Sequence, residues 1–120
     1  MPPTFPTPDP APSPAGHLTT FLTALHSRRT LILRHAGRRG ETTRRVAPLD
    51  VGPSHITGDT AVRFHFHDYD ATRGPRLASL APGEILGLEL DGGTFDPADI
   101  VTWPVAESPW RVVRDWGAYG

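Results

Sequence analysis

The sequence predicts a mainly β fold: a small five-stranded barrel with an N-terminal α-helix and a short C-terminal helix. Three observations carry this. Apolar residues recur at helical spacing once near the start, the period changes to that of strands after Arg29, and turn residues then separate five short apolar runs.

The elements follow in order. Seven of the 14 prolines fall within the first fourteen of 120 residues. Residues 1–15 (MPPTFPTPDPAPSPA) therefore read as a disordered, extended tail serving as a tether or solubility segment. From His17 to Arg28, Leu18, Phe21, Leu22 and Leu25 recur three and four apart beside Ala24, the stripe of an amphipathic helix. Thr30–His35 is a short apolar strand, Gly37–Glu41 is turn chemistry, and Glu41–Val51 is a second strand interrupted by Pro48. After a loop containing Gly58 and Asp59 comes the cleanest alternation in the chain. Val62, Phe64 and Phe66 fall on one side, and Arg63, His65, His67 and Tyr69 on the other, which describes a half-buried strand with a polar face. Leu77–Leu80 and Ile85–Leu90 are strands joined by a turn at Pro82-Gly83. Ser108-Pro109 is an N-cap signature, so Trp110, Val113 and Trp116 are expected on a short helix.

The expected organisation is a tail over 1–15, a barrel domain over 16–100, and a tryptophan-containing segment over 101–120 that packs on the barrel or on a partner. About a hundred residues beyond the tail is the length of one small domain. No apolar run reaches the eighteen or so residues of a membrane span, and the start has no signal-peptide pattern, so a soluble cytoplasmic protein without membrane contact is expected. The absence of cysteine excludes a disulfide scaffold, a thiolate nucleophile and a thiolate metal site.

Formal net charge is −1, but its distribution is uneven. Between Arg28 and Arg45, seven arginines face only Glu41, a local excess that attracts polyanions unless it is simply solvated. The chain has no Lys, Asn or Gln, so arginine is also its default cation.

Several segments together resemble the WYL domain, a small Sm-like or SH3-like β-barrel that senses ligands in bacterial transcription regulators. They are FLTALHSRRTLILRHAGRRGE, RRVAPLDV, AVRFHFHDYDATRGPR, and LASLAPGEILGLEL with TFDP. The match runs from about Leu18 to Phe95, and Arg44-x-Val46-x-Pro48-Leu49 in register with Arg76 is its most specific part. The resemblance implies that Arg44 and Arg76 line a ligand-binding surface. It also implies a regulatory role in transcription control or in a stress or defence response, here as a free-standing module without a winged helix. The family's eponymous triplet falls on Val62-Arg63-Phe64, its strand-end tyrosine on His35, and an expected arginine on Glu84.

Three function classes are compatible with the residues. The first is a non-enzymatic module that binds single-stranded DNA or RNA, or a nucleotide-like anion, through Arg44, Arg63, His65, His67, Tyr69 and Arg76. Arginine forks match phosphates, and the rings offer a stacking platform. The second is a protein-interaction adaptor or homodimer, because Trp103, Trp110 and Trp116 crowd the C-terminal segment as interface anchors or as packing for that segment. The third is a metal-dependent enzyme in which His65 and His67, two apart on a strand, are ligands. No cofactor motif, P-loop or nucleophile elbow occurs, so binding without cofactor or catalysis is the expectation.

Overall fold

The computed structural model describes residues 14–37, 40–53, 61–72, 76–106 and 109–120. The elements are α1 (Pro14–Ser27), β1 (Arg29–Gly37), β2 (Gly40–Pro53), β3 (Val62–Asp68), β4 (Leu77–Leu80), a 3-10 turn (Pro82–Glu84), β5 (Ile85–Thr94), α2 (Pro97–Ile100) and a last 3-10 turn (Gly117–Tyr119). The tail over 1–13 and the sequence features at Arg38, Arg39, Gly58, Asp59, Arg73 and Ser108 lie outside the described residues.

All five strands form one antiparallel sheet in the order β4-β3-β2-β1-β5. The expected barrel does not close among the described residues, where β4 and β5 are the two edges and no ladder joins them. Yet only Ala81–Glu84 connect these edge strands. Five peptide steps span at most about 18 Å, against about 19 Å for the width of a flat five-stranded sheet, so the sheet must curl to bring its edges near each other.

One face of the sheet is covered by α1. Phe21 meets Phe64 and Phe66 edge-on at 5.2 and 5.3 Å, and Ala24 and Leu25 pack with Leu31, Leu33 and Val46. The buried stripe is shifted by one position from the expected one: His17, Phe21, Ala24 and Leu25 are inside, while Leu18 is exposed. A helix repeats at seven as well as at four residues, so position 17 aligns with 21 and 24, and Leu18 falls on its flank. The helix ends at Arg28, which holds φ 56 and whose guanidinium donates to the carbonyl of Asp115 at 2.6 Å. No helix among the described residues is long and apolar enough to cross a membrane.

Pro48 does not interrupt β2. The register shifts between Pro48 and Asp50, leaving Leu49 as an extra residue against β3. A bulge tolerates the missing proline N–H and re-aims its neighbours. Leu49 and Asp50 thus both reach the face away from α1, where the C-terminal segment crosses.

That segment is not the expected helix. Residues 109–116 are irregular, and only Gly117–Tyr119 form a 3-10 turn. The cause is Asp50, whose carboxylate accepts from the backbone N–H of Arg111 at 3.0 Å and of Val112 at 3.1 Å. The buried Arg114 side chain then pairs with Asp50 at 3.3 Å, also donates to the Leu49 carbonyl, and lies 4.0 Å from the Trp110 ring and 4.4 Å from the Trp116 ring. Burial lowers this guanidinium to about 10 and Asp50 opposes the shift, so the group remains a cation at neutral pH. Trp116 is buried, stacks edge-on with Phe95 at 5.4 Å, and donates to the Leu25 carbonyl at the end of α1. The tryptophans therefore pack the segment onto the sheet.

Candidate functional site

The alternation of β3 turns Phe64 and Phe66 towards α1 and places Arg63, His65 and His67 on the opposite face. Between that face and the C-terminal segment lies a cleft of about 680 Å³. The sheet supplies Leu49, Asp50, His65 and His67 to its lining, the bend before β4 supplies Arg76, and the C-terminal segment supplies Trp103, Trp110 and Arg111.

His65 is fixed from both ends. Its Nε2 donates to the Gly52 carbonyl at 2.9 Å, because a carbonyl only accepts, and its Nδ1 lies 2.7 Å from the Ser79 hydroxyl. The His67 ring packs edge-on against Tyr69 at 4.8 Å. Burial lowers the His67 pKa and nearby Arg76 lowers it further, with Asp68 opposing, so His67 is a neutral imidazole at pH 7. Burial raises the Tyr69 pKa, Arg45 opposes this from 5.1 Å over the ring, and Asp99 and Asp91 add to the rise.

Arg45 is itself held by Asp91 at 2.9 Å, and that carboxylate also accepts from the Thr30 hydroxyl and from Gly93 N–H at 2.7 Å. Burial alone would raise the Asp91 pKa, but these hydrogen bonds and the Arg45 charge outweigh it, and the net shift is downward.

Of the six residues singled out in the sequence, the cleft brings together His65, His67 and Arg76. Tyr69 joins them through its contact with His67, and Arg63 follows on the same strand face with its Nε buried. Arg44 is elsewhere. It pairs in register with the core residue Leu33, on the α1 side of the sheet, and donates to the Asp70 carbonyl at 2.8 Å. Arg76 donates to the adjacent Tyr69 carbonyl at 3.0 Å, so the two arginines clamp the turn after β3 from different sides. The basic stretch is largely engaged in holding strands: Arg34 pairs with Glu41 at 2.8 Å, Arg45 with Asp91, and Arg28 with Asp115.

No group of three or more His, Asp or Glu among the described residues is placed to hold a metal ion. His65 would have to surrender its contacts with Gly52 and Ser79 to become a ligand. Sequence reasoning did not find Asp50, Trp103, Trp110 or Arg111 as cleft residues. The proline-flanked spacing of the two tryptophans was their only local signal.

Fold and site together define a curled antiparallel sheet with one covering helix and a mainly apolar cleft on its other face. No family model and no curated protein matches the chain. Among solved structures it is similar in fold to proteasome accessory factor B/C (PafBC) of Arthrobacter aurescens, with a TM-score of 0.56 and 23% identity over 70% of this chain. The similar region spans only 12% of the PafBC chain.

Proposed function

We propose that the chain is a WYL-like, non-enzymatic regulatory module that binds single-stranded nucleic acid or a nucleotide-like anion on the face of β3 away from α1. The fold likeness to PafBC, a WYL-domain-containing regulator, fits this reading, as do the sequence segments that resemble that domain. The observation that carries it is the meeting of Arg76 with His67 and His65 in one cleft whose only acidic lining residue among those described, Asp50, already accepts four hydrogen bonds. Such a lining carries surplus positive charge beside rings, the combination that holds phosphates and bases.

The test is fluorescence anisotropy of labelled single-stranded and duplex oligonucleotides at two salt concentrations. Saturable binding that favours single strands and weakens with salt is expected. Arg76→Ala should weaken binding and flatten its salt dependence. Arg44→Ala should leave affinity within about two-fold, a change of under 1 kcal/mol. Unchanged affinity in Arg76→Ala removes the site assignment.

A further inference from the structure

The C-terminal wall of the cleft points to the size and shape of what enters. Trp103 and Trp110 stand edge-to-face at 5.7 Å, and Trp110 is fixed by its Nε1 bond to the Tyr119 carbonyl at 2.7 Å and by Arg114 over its ring. Both indoles line the cleft and are only half-buried. Arg111 is set beside them by a missing side chain: a Cβ at Gly52 would lie 2.1 Å from the Arg111 Cδ, so the arginine stem rests directly on β2. The Gly52 carbonyl also anchors His65, which couples the floor of the cleft to its wall.

Two cations therefore line the cleft from different elements, Arg76 just before β4 and Arg111 in the C-terminal segment. The charge of Asp50 is matched by the Arg114 guanidinium paired with it at 3.3 Å, so it offsets neither of them. A volume of about 680 Å³ lies in the usual range of small-molecule sites, roughly 300–1,000 Å³. It is sized for one base with its sugar and phosphate and not for a stacked run of several.

We infer that the cleft holds a single nucleotide unit, with its planar base against Trp103 and Trp110 and its phosphate between Arg76 and Arg111. The inference rests on the anion-binding reading above and narrows it to one unit, either free or at the end of a strand.

Intrinsic tryptophan fluorescence tests this, because all three tryptophans lie in the C-terminal segment. Titration with deoxyadenosine monophosphate should give a saturable change, with deoxyadenosine and inorganic phosphate each binding at least about ten-fold more weakly. Trp103→Ala and Arg111→Ala should each weaken mononucleotide binding by about ten-fold or more, while Trp103→Phe, which keeps a ring, retains it. Circular dichroism melts of the variants confirm that they are folded. Short labelled oligonucleotides with and without a terminal phosphate separate the two sources: preference for the phosphorylated end indicates a strand terminus, and indifference to it, with mononucleotide binding intact, indicates a free nucleotide. Oligonucleotides that bind Trp103→Ala and Arg111→Ala as tightly as the parent, and that mononucleotide does not displace, overturn this inference while leaving the broader reading standing. Absence of binding by both mononucleotide and oligonucleotide overturns both.

Discussion

His17 and His67 are both pushed below the ordinary histidine pKa of 6.5 by burial, and His67 by Arg76 as well. Protonation of the folded state is therefore disfavoured, while the unfolded chain takes up a proton near 6.5. Stability is complete above that value and is lost as pH falls from it towards the lowered folded values. The thermal midpoint should drop between about pH 7.5 and 5.5, and the double variant His17→Leu, His67→Phe should show a flatter profile. An unchanged profile would assign the effect to other groups. At this scale the sequence was partly legible. Strict alternation named the two faces of β3 correctly, because β3 pairs with both neighbours without an extra residue of its own to break the period of two. Arg44 was not legible from its motif, since what decides its side is parity with Leu33 on the neighbouring strand, and adjacent Arg45 takes the cleft side instead.

At the scale of elements, five strands and the first helix could be read from periodicity, and the C-terminal segment could not. Its tryptophan spacing fits a helix, but the backbone N–H groups of Arg111 and Val112 are taken by a carboxylate about sixty residues earlier in the chain. No local pattern encodes such a partner. The Leu49 bulge escaped for a related reason, because it is defined by the register against β3 and not by β2 alone. The anchoring predicts a large effect from one atom group. Asp50→Ala leaves the Arg114 guanidinium buried without its counter-charge and frees the N–H groups of Val51, Arg111 and Val112, a loss of about 3 kcal/mol or more. Urea denaturation should show an unfolding free energy lower by that amount, and a change below about 0.5 kcal/mol would mean that the segment is held by its tryptophans alone.

For the whole molecule, curling of an open sheet around α1 leaves its other face to be covered by the C-terminal segment. Removal of residues 102–120 uncovers Leu49 and discards the buried Trp116, which by itself is worth about 3–5 kcal/mol. At roughly 4–8 °C per kcal/mol for a domain of this length, the thermal midpoint should fall by well over 10 °C. Removal of residues 1–13 should leave it nearly unchanged, as expected of a low-complexity tail. Calorimetry of the two truncations checks both statements. Barrel closure was the part of the global reading that sequence could not decide, because strand count and order are the same for a curled sheet and a closed one, and only a ladder between β4 and β5, absent among the described residues, separates them.

The Asp50–Arg114 clasp spans 64 positions of sequence. A ribosome adding about 5–20 residues per second needs roughly 3–13 s to cover that distance. β3, β4 and β5 are all made within that interval, and the Asp50 carboxylate stays in water until Arg111, Val112 and Arg114 have been added. The C-terminal wall of the cleft is therefore the last part of the molecule to be put in place on a chain still in synthesis.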